Sequence, residues 1–316
     1  NGPELLVPGW PSIVVPLVLE KHFAQVDQLL RKEFEFEDHE SRVSTIISGL
    51  DRFKMLTAFF LEQNTDFSQY NVTTIMSSAA YLTRRWRRIF EESWNARVVH
   101  YYGLSEVSEG RGIPCDLCGA YHCQPIAVPE VVSLQEGKPV EQGIGVLVLT
   151  TLYPFVQLQP MIRYWTDDVV EIGSRCEQVN DLGFIFKGRR LQSIIEEMDG
   201  TTYFLLFPTD IVDILDELPE IAIEPESLIQ GLKSQDVGYH KWNAKSRVTK
   251  GRIEIDLNIE LKYSQFLYPD RSDYLRGYIT RKLTERNRDF KNLMDNDRLT
   301  FSILFHPPGS LNKVIV

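Results

Sequence analysis

The apolar positions of the first hundred residues recur at two alternating spacings. Apolar residues at helical spacing predict three helices, and short apolar runs between them predict two strands. The helices are expected at residues 17–31, 52–63 and 83–94, and the strands at residues 72–77 and 97–100. Strands that alternate with helices are typical of a sheet whose strands are joined by crossover helices. The sequence therefore predicts an α/β core.

Strand patterns dominate between residues 128 and 172, and a different order follows in the last third. Apolar runs predict buried strands at residues 145–152 and 168–172. The last third has a helix at residues 208–218, then alternating strands at residues 253–261 and 299–305 on either side of a helix at residues 274–283. Pro208 suits the first turn of its helix, because the N–H that proline lacks has no intrahelical partner there. This order predicts a compact α+β module.

Composition excludes two classes of partner. A chain of 316 residues can bury a large core, and its length suggests two domains. The net charge of −10 argues against a nucleic-acid surface, because phosphate binding depends on clustered Lys and Arg. The basic run at residues 84–88 lies in a helical pattern and is expected to be a solvated helix face. No apolar run reaches the roughly 20 residues of a membrane span, so no membrane partner is expected.

Cysteine usage indicates the compartment. Four cysteines in a chain of this length do not form a disulfide framework. Disulfides are rare in reducing compartments. A cytoplasmic location is therefore expected.

Three short blocks of polar and aromatic residues stand out when they are taken together. They are His-Tyr-Tyr-Gly-Leu-Ser-Glu at residues 100–106, Ile-Arg-Tyr-Trp-Thr-Asp-Asp at residues 162–168, and Gly188-Arg189, with Phe207-Pro208 after them. In this order they resemble the adenylate-forming superfamily, which joins acyl-CoA ligases, luciferases and peptide-synthetase adenylation domains. The first block is most similar to the phenylacetate–CoA ligase branch. The resemblance covers residues 43–312.

The resemblance implies a fold and a domain division. The family has an α/β core with a small β-subdomain, followed by a smaller C-terminal α+β lid. In this chain it implies a core at residues 1–187, incomplete at its N-terminal side, and a lid at residues 188–316. The boundary is expected at Lys187–Gly188.

The resemblance also implies a role for each candidate residue. Activation of a carboxylate by ATP requires that the nucleoside is held, that phosphate charge is neutralised, and that the carboxylate lies in line with the α-phosphorus. Glu106 offers a hard oxygen ligand that suits Mg²⁺, and it is a candidate catalytic residue together with Ser105 and Lys313. By resemblance, the nucleotide is bound by Tyr102 at the adenine, Ser105 near the α-phosphate, and Asp168 and Arg189 at the ribose. Gly103 is a further candidate for nucleotide binding.

Several positions depart from the family's pattern. The Ser/Thr/Gly-rich phosphate loop expected ahead of Val43 does not occur in the 316 residues. Trp165 and Asp167 replace an Arg and a Gly in the second block, and Leu191 and Gln192 stand where relatives usually have Asp. Near the adenine, Ala-Ala-Tyr at residues 79–81 replaces the usual Gly-Glu-Pro.

Two functions follow from the resemblance and its departures. One is ATP-dependent activation of an aryl or other acyl carboxylic acid as an acyl-adenylate, with transfer to the thiol of coenzyme A or of a phosphopantetheine carrier, in an enzyme that could be a homodimer. The alternative is a degenerate, non-catalytic relative that binds a nucleotide or adenylate and acts with a partner protein. A zinc-braced interaction module without a nucleotide site is a third, weaker hypothesis.

A second constellation is independent of the blocks. Cys115-x-x-Cys118-Gly-x-x-His122-Cys123 has the spacing of a zinc knuckle, in which thiolates and imidazole complete a tetrahedron. His122 and Cys123 are adjacent, so only one of them points inward on an extended backbone. Cys176 is the candidate for the fourth ligand. The alternative is a set of buried free thiols beside an ordinary loop.

Overall fold

The computed structural model describes residues 11–17, 19–35, 41–107, 111–173, 176–177, 179, 181–225, 237–312 and 314. Its described residues form two compact units. The first takes in the described part of Asn1–Val99 and Pro225–Gly238, and the second takes in the described part of His100–Glu224 and Tyr239–Val316.

The first unit is built on a three-stranded sheet flanked by helices. Its elements are α1 (Glu20–Arg31), β1 (Thr45–Gly49), α2 (Leu50–Glu62), β2 (Thr74–Ser78), α3 (Arg84–Trp94) and β3 (Arg97–His100). The strand order is β1-β2-β3, and β1 runs parallel to β2. Parallel neighbours need a crossover connection, and α2 lies within it. The three helices and two strands predicted from the first hundred residues are therefore confirmed to within a few residues.

Aromatic rings fill the core of the first unit. Phe53, Phe60, Phe90 and Trp94 are buried there. The rings of Phe53 and Phe90 meet edge to face with centroids 4.7 Å apart, a favoured aromatic geometry. The indole N–H of Trp94 donates to the hydroxyl of Thr57 at 3.0 Å, so the polar end of this large ring is satisfied inside the core.

Helix α3 carries the basic run. The hydroxyl of Thr83 caps the helix by accepting from the N–H of Trp86 at 3.3 Å. Trp86 and Phe90 are buried, whereas Arg84 and Arg88 are exposed. The predicted solvated basic face is confirmed.

A six-stranded antiparallel sheet forms the first part of the second unit. Its strands are β4 (Gly112–Pro114), β5 (Tyr121–Cys123), β6 (Ala127–Val132), β7 (Ile144–Thr151), β8 (Tyr164–Ile172) and β9 (Gly183–Arg189), in the order β4-β5-β9-β8-β7-β6. One core cluster of this unit gathers Tyr102, Leu147, Leu149, Val170 and Phe184. The strand predicted at residues 145–152 is confirmed, and the one predicted at residues 168–172 begins earlier, at Tyr164.

The rest of the second unit contains the C-terminal α+β module. Its elements are β10 (Ile194–Met198), β11 (Thr201–Leu206), α4 (Pro208–Asp216), β12 (Ile223–Pro225), β13 (Gly238–His240), β14 (Trp242–Thr249), β15 (Arg252–Glu260), α5 (Pro269–Arg286), α6 (Arg288–Asp295) and β16 (Leu299–His306). β15 is the central strand, antiparallel to β14 and parallel to β16. Alternate residues of β15, from Ile253 to Ile259, are buried, as their spacing predicts. α5 and α6 form the crossover that the parallel pair needs.

The predicted domain boundary lies inside an element. Lys187 and Gly188 both belong to β9, within the second unit. The division into a core and a mobile lid at Lys187–Gly188 therefore stays a proposal. Among the helices that the structure describes, none combines the length and the apolar character needed to cross a bilayer.

Candidate functional site

Tyr102, from the first block, reaches Asp168, from the second. The phenolic O–H of Tyr102 donates to Oδ2 of Asp168 at 2.6 Å. The backbone of Tyr102 exchanges two hydrogen bonds with Gly112, of 2.9 and 3.0 Å. Its ring meets that of Phe184 edge to face, with centroids 5.2 Å apart. These contacts bury Tyr102 and fix both its backbone and its ring.

Asp168 also faces Arg189, from the third block. The two residues are direct partners in the β8–β9 pairing, and Nε of Arg189 lies 3.1 Å from Oδ1 of Asp168. A second guanidinium nitrogen donates to the carbonyl of Thr166 at 3.2 Å. The Thr166 hydroxyl accepts from the N–H of Asp168 at 3.0 Å and donates to the carbonyl of Leu147 at 2.8 Å. Three blocks that are far apart in sequence therefore meet at one carboxylate.

The carboxyl of Asp168 is deeply buried, with 1% of the residue exposed. Burial is the largest effect and raises its pKa, because a low dielectric disfavours the charged form. The hydrogen bond from Tyr102 and the charge of Arg189 oppose this rise, while the charges of Asp167 and Glu106 add to it. Burial, followed by the charge of Asp168, also raises the pKa of the Tyr102 hydroxyl well above its usual range, so Tyr102 stays a donor.

Ser105 and Glu106 lie on the exposed turn that follows Tyr102. Glu106 is close enough to Asp168 for its charge to raise the pKa of that group. Gly103, between them and Tyr102, is also exposed. The turn therefore presents a hydroxyl and a carboxylate to solvent beside the buried Tyr102–Asp168 pair.

Asp167, next to the buried aspartate, has a different environment. Its Oδ1 accepts from Nε of Arg190 at 2.8 Å and from the indole N–H of Trp165 at 3.0 Å. The hydrogen bond from Arg190 is the main reason that the pKa of Asp167 is lowered. The backbone of Asp167 has φ = 60°, a left-handed conformation that Asp tolerates better than most residues. This residue stands where the family pattern has Gly.

The end of β9 packs closely on the start of α4. Gly188 has φ = 124°, and a Cβ on it would lie 2.7 Å from the ring of Pro208. The hydroxyl of Thr209 donates to the carbonyl of Lys187 at 2.9 Å. Glycine suits residue 188 for two reasons: it tolerates the positive φ, and it lets the ring of Pro208 lie close to the backbone.

Of the five candidate zinc ligands, the structure brings four together and places the fifth elsewhere. Sγ of Cys115, Cys118 and Cys176 and a ring nitrogen of His122 all lie within 4.8 Å of one another. Cys123 is instead buried in the cluster with Phe184 and Leu147. The prediction that Cys123 could be a zinc ligand is therefore wrong. Side chains alternate along β5, so Cys123 faces the apolar cluster when His122 faces the other ligands. Burial raises the pKa of the Cys123 thiol to about 12.

A cavity of about 440 Å³ lies at the other end of β8 and β9 from Asp168. Its lining includes Gly143, Ile172, Gly173 and Gly183. The polar groups of the three blocks do not line it, so it is not part of the candidate nucleotide site.

Sequence reasoning missed three residues with polar roles. Thr166 lies in the second block, and its Thr-x-Asp spacing is a signal for a side chain that bonds the backbone two residues on. Arg190 pairs with Asp167 and follows directly after the third block. Glu260, on β15, is almost fully buried and accepts from the N–H groups of Gly309 and Leu311 at 2.9 and 2.7 Å. Nothing in the alternation of β15 marked this position as polar and buried.

The remaining candidate, Lys313, lies outside the described residues. Its predicted catalytic role stays a prediction. Tyr102, Gly103, Ser105, Glu106, Asp168 and Arg189 all belong to the second unit.

No protein-family model matches the chain, and no curated protein matches it significantly. Several solved structures do. An open conformation of 2-hydroxyisobutyryl-CoA ligase in complex with 2-HIB-AMP and CoA matches with a TM-score of 0.59 and 14% identity, over 93% of this chain and 57% of that one. The same ligase in its postadenylation state matches with a TM-score of 0.53 and 14% identity, over 93% and 56%. An ATP-bound RpMatB-BxBclM chimera matches with a TM-score of 0.53 and 14% identity, over 96% and 52%.

These matches confirm the fold expected from the three blocks. The chain spans little more than half of the length of each matched structure. At this level of identity the likeness concerns the fold, and the residues of the site are argued from their own geometry. The chain has the α/β fold of adenylate-forming CoA ligases such as 2-hydroxyisobutyryl-CoA ligase.

Proposed function

We propose that the chain binds the nucleoside part of an adenylate at Tyr102, Asp168 and Arg189, and that it acts in the ATP-dependent activation of a carboxylic acid and its transfer to a thiol. The observation that carries this proposal is the meeting of three separate sequence blocks at the carboxylate of Asp168. The fold supports it, since solved structures that share this fold were captured with an adenylate or with ATP.

Asp168 has acceptor capacity left for a ribose hydroxyl. Its Oδ2 accepts from Tyr102, while Oδ1 accepts no hydrogen bond from any residue that the structure describes. An ionised carboxylate offers about four lone-pair sites. The side chain of Arg189 covers Oδ1 and is half-exposed. A ribose can therefore reach Oδ1 if the Arg189 side chain moves, and the buried core does not have to move.

The exposed turn suits the phosphate end of the nucleotide. Mg²⁺ is bound by one or two carboxylates together with substrate phosphates and water, and Glu106 offers such a carboxylate on the exposed turn. Magnesium, when bound, neutralises phosphate charge at the reacting end. Ser105, next to Glu106, presents a hydroxyl that can donate to an α-phosphate oxygen. Lys313 is proposed to add a positive charge during adenylation.

The proposed reaction has two steps. A carboxylate oxygen of the acid attacks the α-phosphorus of ATP, the bond from that phosphorus to the oxygen bridging the β-phosphate breaks, and pyrophosphate leaves. A thiolate sulfur, after its proton has passed to solvent or a base, attacks the carbonyl carbon of the acyl-adenylate. The bond from that carbon to the phosphate oxygen breaks, AMP leaves, and the thioester is formed. A small carboxylic acid and the thiol of coenzyme A or of a carrier protein are the proposed partners, in the cytoplasm, with a homodimer as the proposed assembly.

A second candidate function is that of a nucleotide-binding relative without catalysis. The hinge favours it, because Leu191 and Gln192 stand where relatives usually have Asp. The ring of Tyr102 is buried among Phe184, Phe186 and Tyr121 and presents no open face to an adenine, so the role proposed for Tyr102 is to hold Asp168 at the ribose and not to pack on the base. In this hypothesis a partner protein completes the reaction.

Pyrophosphate release and AMP binding distinguish the two functions. The full-length protein is mixed with Mg-ATP and a panel of aryl and fatty acids, and pyrophosphate is measured; AMP affinity is measured by calorimetry. Asp168→Ala is expected to weaken AMP binding about ten- to a hundredfold, because hydrogen bonds to charged groups contribute about 1.5–3 kcal/mol. Glu171→Ala is the matched control, since it breaks the Glu171–Lys187 ion pair of 2.7 Å between the same two strands.

Acid-dependent pyrophosphate release supports the ligase. AMP binding without pyrophosphate release selects the non-catalytic relative. Equal AMP affinity in both variants, or no AMP binding by the unmodified protein, contradicts the proposed site.

A further inference from the structure

We infer that Cys115, Cys118, His122 and Cys176 bind one zinc ion that has a structural role. Their ligand atoms lie within 4.8 Å of one another. Three thiols and one imidazole are among the commonest donor sets of structural zinc. The inference is independent of the nucleotide site, because none of the four residues touches Tyr102 or Asp168 through a hydrogen bond that the structure describes.

The distances fit a tetrahedron better than a disulfide. Sγ of Cys115 and Sγ of Cys176 are 3.7 Å apart. A tetrahedral ion with Zn–S bonds of about 2.3 Å places two sulfurs about 3.8 Å apart, whereas a disulfide brings them to about 2.0 Å. Sγ of Cys118 lies 3.2 Å from Nε2 of His122, compared with about 3.5 Å for an S–N edge of the same tetrahedron. Small adjustments of side-chain torsions therefore suffice to bind the ion.

The backbone after Cys115 is folded into a tight turn. The N–H groups of Leu117 and Cys118 face the sulfur of Cys115. The N–H of Gly119 donates to the carbonyl of Cys115 at 2.9 Å, and Gly119 has φ = 71°. A tight turn of this kind, closed by Gly in a left-handed conformation, brings both cysteines to one side.

The histidine is supplied by the next strand. His122 is buried on β5 and directs Nε2 toward Cys118. A Cβ on Gly183, its partner on β9, would lie 3.0 Å from the ring of His122. The absence of a side chain at residue 183 therefore makes the room in which the imidazole lies. Its Nδ1 is buried and has no hydrogen-bond partner among the described residues, and Nε2 is the ring nitrogen that faces the other ligands.

The fourth ligand determines what the ion would hold together. Cys176 is buried and belongs to the segment between β8 and β9, whereas the other three ligands belong to the β4–β5 hairpin and its turn. The ion would therefore tie this hairpin to the β8–β9 connection. Four protein ligands leave no open position for a substrate, which makes the role structural.

The braced hairpin is also the one that holds Tyr102. Gly112, the first residue of β4, exchanges two backbone hydrogen bonds with Tyr102. β5 pairs Tyr121 with Phe184, and Phe184 packs on the Tyr102 ring. Loss of the ion is therefore expected to loosen the backbone of Tyr102 first.

Metal analysis and variants test the inference. The purified chain, expressed with zinc in the medium, is expected to contain one zinc per chain, as measured by inductively coupled plasma mass spectrometry. Cys118→Ser is expected to lose the ion, and Cys123→Ser, which changes a buried thiol outside the cluster, is expected to keep it. Substitution with Co²⁺ is expected to give thiolate-to-cobalt absorption bands. A chain without zinc, or Cys118→Ser with full zinc, overturns the inference.

Hydrogen exchange tests the brace without relying on any variant that fails to fold. After a chelator removes the ion from the unmodified protein, the amide of Tyr102 is expected to exchange at least about tenfold faster, because local opening becomes easier. Amides of β15 serve as the internal control and are expected to keep their rates. Unchanged exchange at Tyr102 after the metal has left contradicts the bracing role, and refilling with zinc is expected to restore protection.

Discussion

Asp167 and Asp168 are neighbours in sequence, yet the structure shifts their pKa values in opposite directions. Burial raises the pKa of Asp168, whereas the hydrogen bond from Arg190 lowers that of Asp167. The side chain of Asp168 is 2% exposed and that of Asp167 is 40% exposed. Burying a carboxylate that still has free acceptor sites destabilises the fold. Groups with such strongly shifted pKa values are concentrated at functional sites.

Substitution of the two aspartates by Asn should change stability with opposite pH dependence. The raised pKa of Asp168 means that its contribution to stability is greatest at low pH and is lost as pH rises through the folded-state pKa. The free energy of unfolding of Asp168→Asn, relative to the unmodified protein, is therefore expected to increase as pH rises above about 4, the ordinary pKa of Asp. Urea unfolding at several pH values measures this difference.

Asp167→Asn is the control with the opposite sign. The lowered pKa of Asp167 means that its contribution is present above its ordinary pKa and is lost as pH falls. Its relative free energy of unfolding is expected to decrease as pH rises from below about 4 to about 5, and to stay constant above that. The same trend in both variants would show that the environment of Asp168 does not raise its pKa.

At the residue scale, the sequence predicted which residues belong to the candidate sites better than it predicted which residues they contact. The alternation rule stated that only one of His122 and Cys123 points inward, but the strand's orientation decided which. That orientation depends on Phe184, a residue of β9 that is distant in sequence. The contact between Tyr102 and Asp168 likewise depends on strand order, which no local pattern contains.

At the element scale, the junction of β9 with α4 depends on one glycine. Gly188→Ala is expected to lower the free energy of unfolding by about 2–4 kcal/mol, because the left-handed conformation and the overlap with Pro208 both oppose a Cβ. The backbone has φ = 124° there, and the ring of Pro208 would be 2.7 Å away. Denaturant unfolding checks this value.

Gly277→Ala is the matched control for Gly188→Ala. Gly277 is exposed on α5, and a Cβ there would meet nothing within 4 Å. Alanine favours a helix interior over glycine by up to about 1 kcal/mol, so this variant is expected to be more stable than the unmodified protein. Equal stability of the two variants would contradict the close packing at β9 and α4.

Turn chemistry explains which elements the sequence analysis missed. The β10–β11 hairpin closes at Asp199-Gly200, with φ of 54° and 72°, and the β14–β15 hairpin closes at Lys250-Gly251, with φ of 49° and 74°. Positive φ at both central residues is the signature of a type I′ turn, for which Asp-Gly is a strong sequence signal. The first hairpin was therefore readable from two residues. β8 was predicted too short, because the left-handed Asp167 interrupts its alternation.

At the scale of the whole molecule, the order of the blocks predicted the fold better than any single block did. Each block is short, but an antiparallel sheet brings β8 and β9 together and places Asp168 opposite Arg189. The matched ligases share this fold at 14% identity. Folds persist at such identities because burial patterns are kept while surface residues change. The acid specificity has no such pattern, and it was not readable from the sequence.

A mimic of the acyl-adenylate distinguishes the ligase from a nucleotide-binding relative at the scale of whole-molecule stability. Ligands that bind only the folded state stabilise it by RT ln(1 + [L]/Kd). A ligase should bind an aroyl-sulfamoyl adenosine, a stable mimic of an aryl acyl-adenylate, much more tightly than AMP, because the mimic also occupies the acid site. A hundredfold tighter ligand adds about 2.7 kcal/mol at the same saturating concentration, and thermal unfolding with each ligand measures the difference. Equal increases in unfolding temperature with AMP and with the mimic favour the non-catalytic relative. Increases that persist in Asp168→Ala contradict the site itself, because this variant lacks the carboxylate at which the three blocks meet.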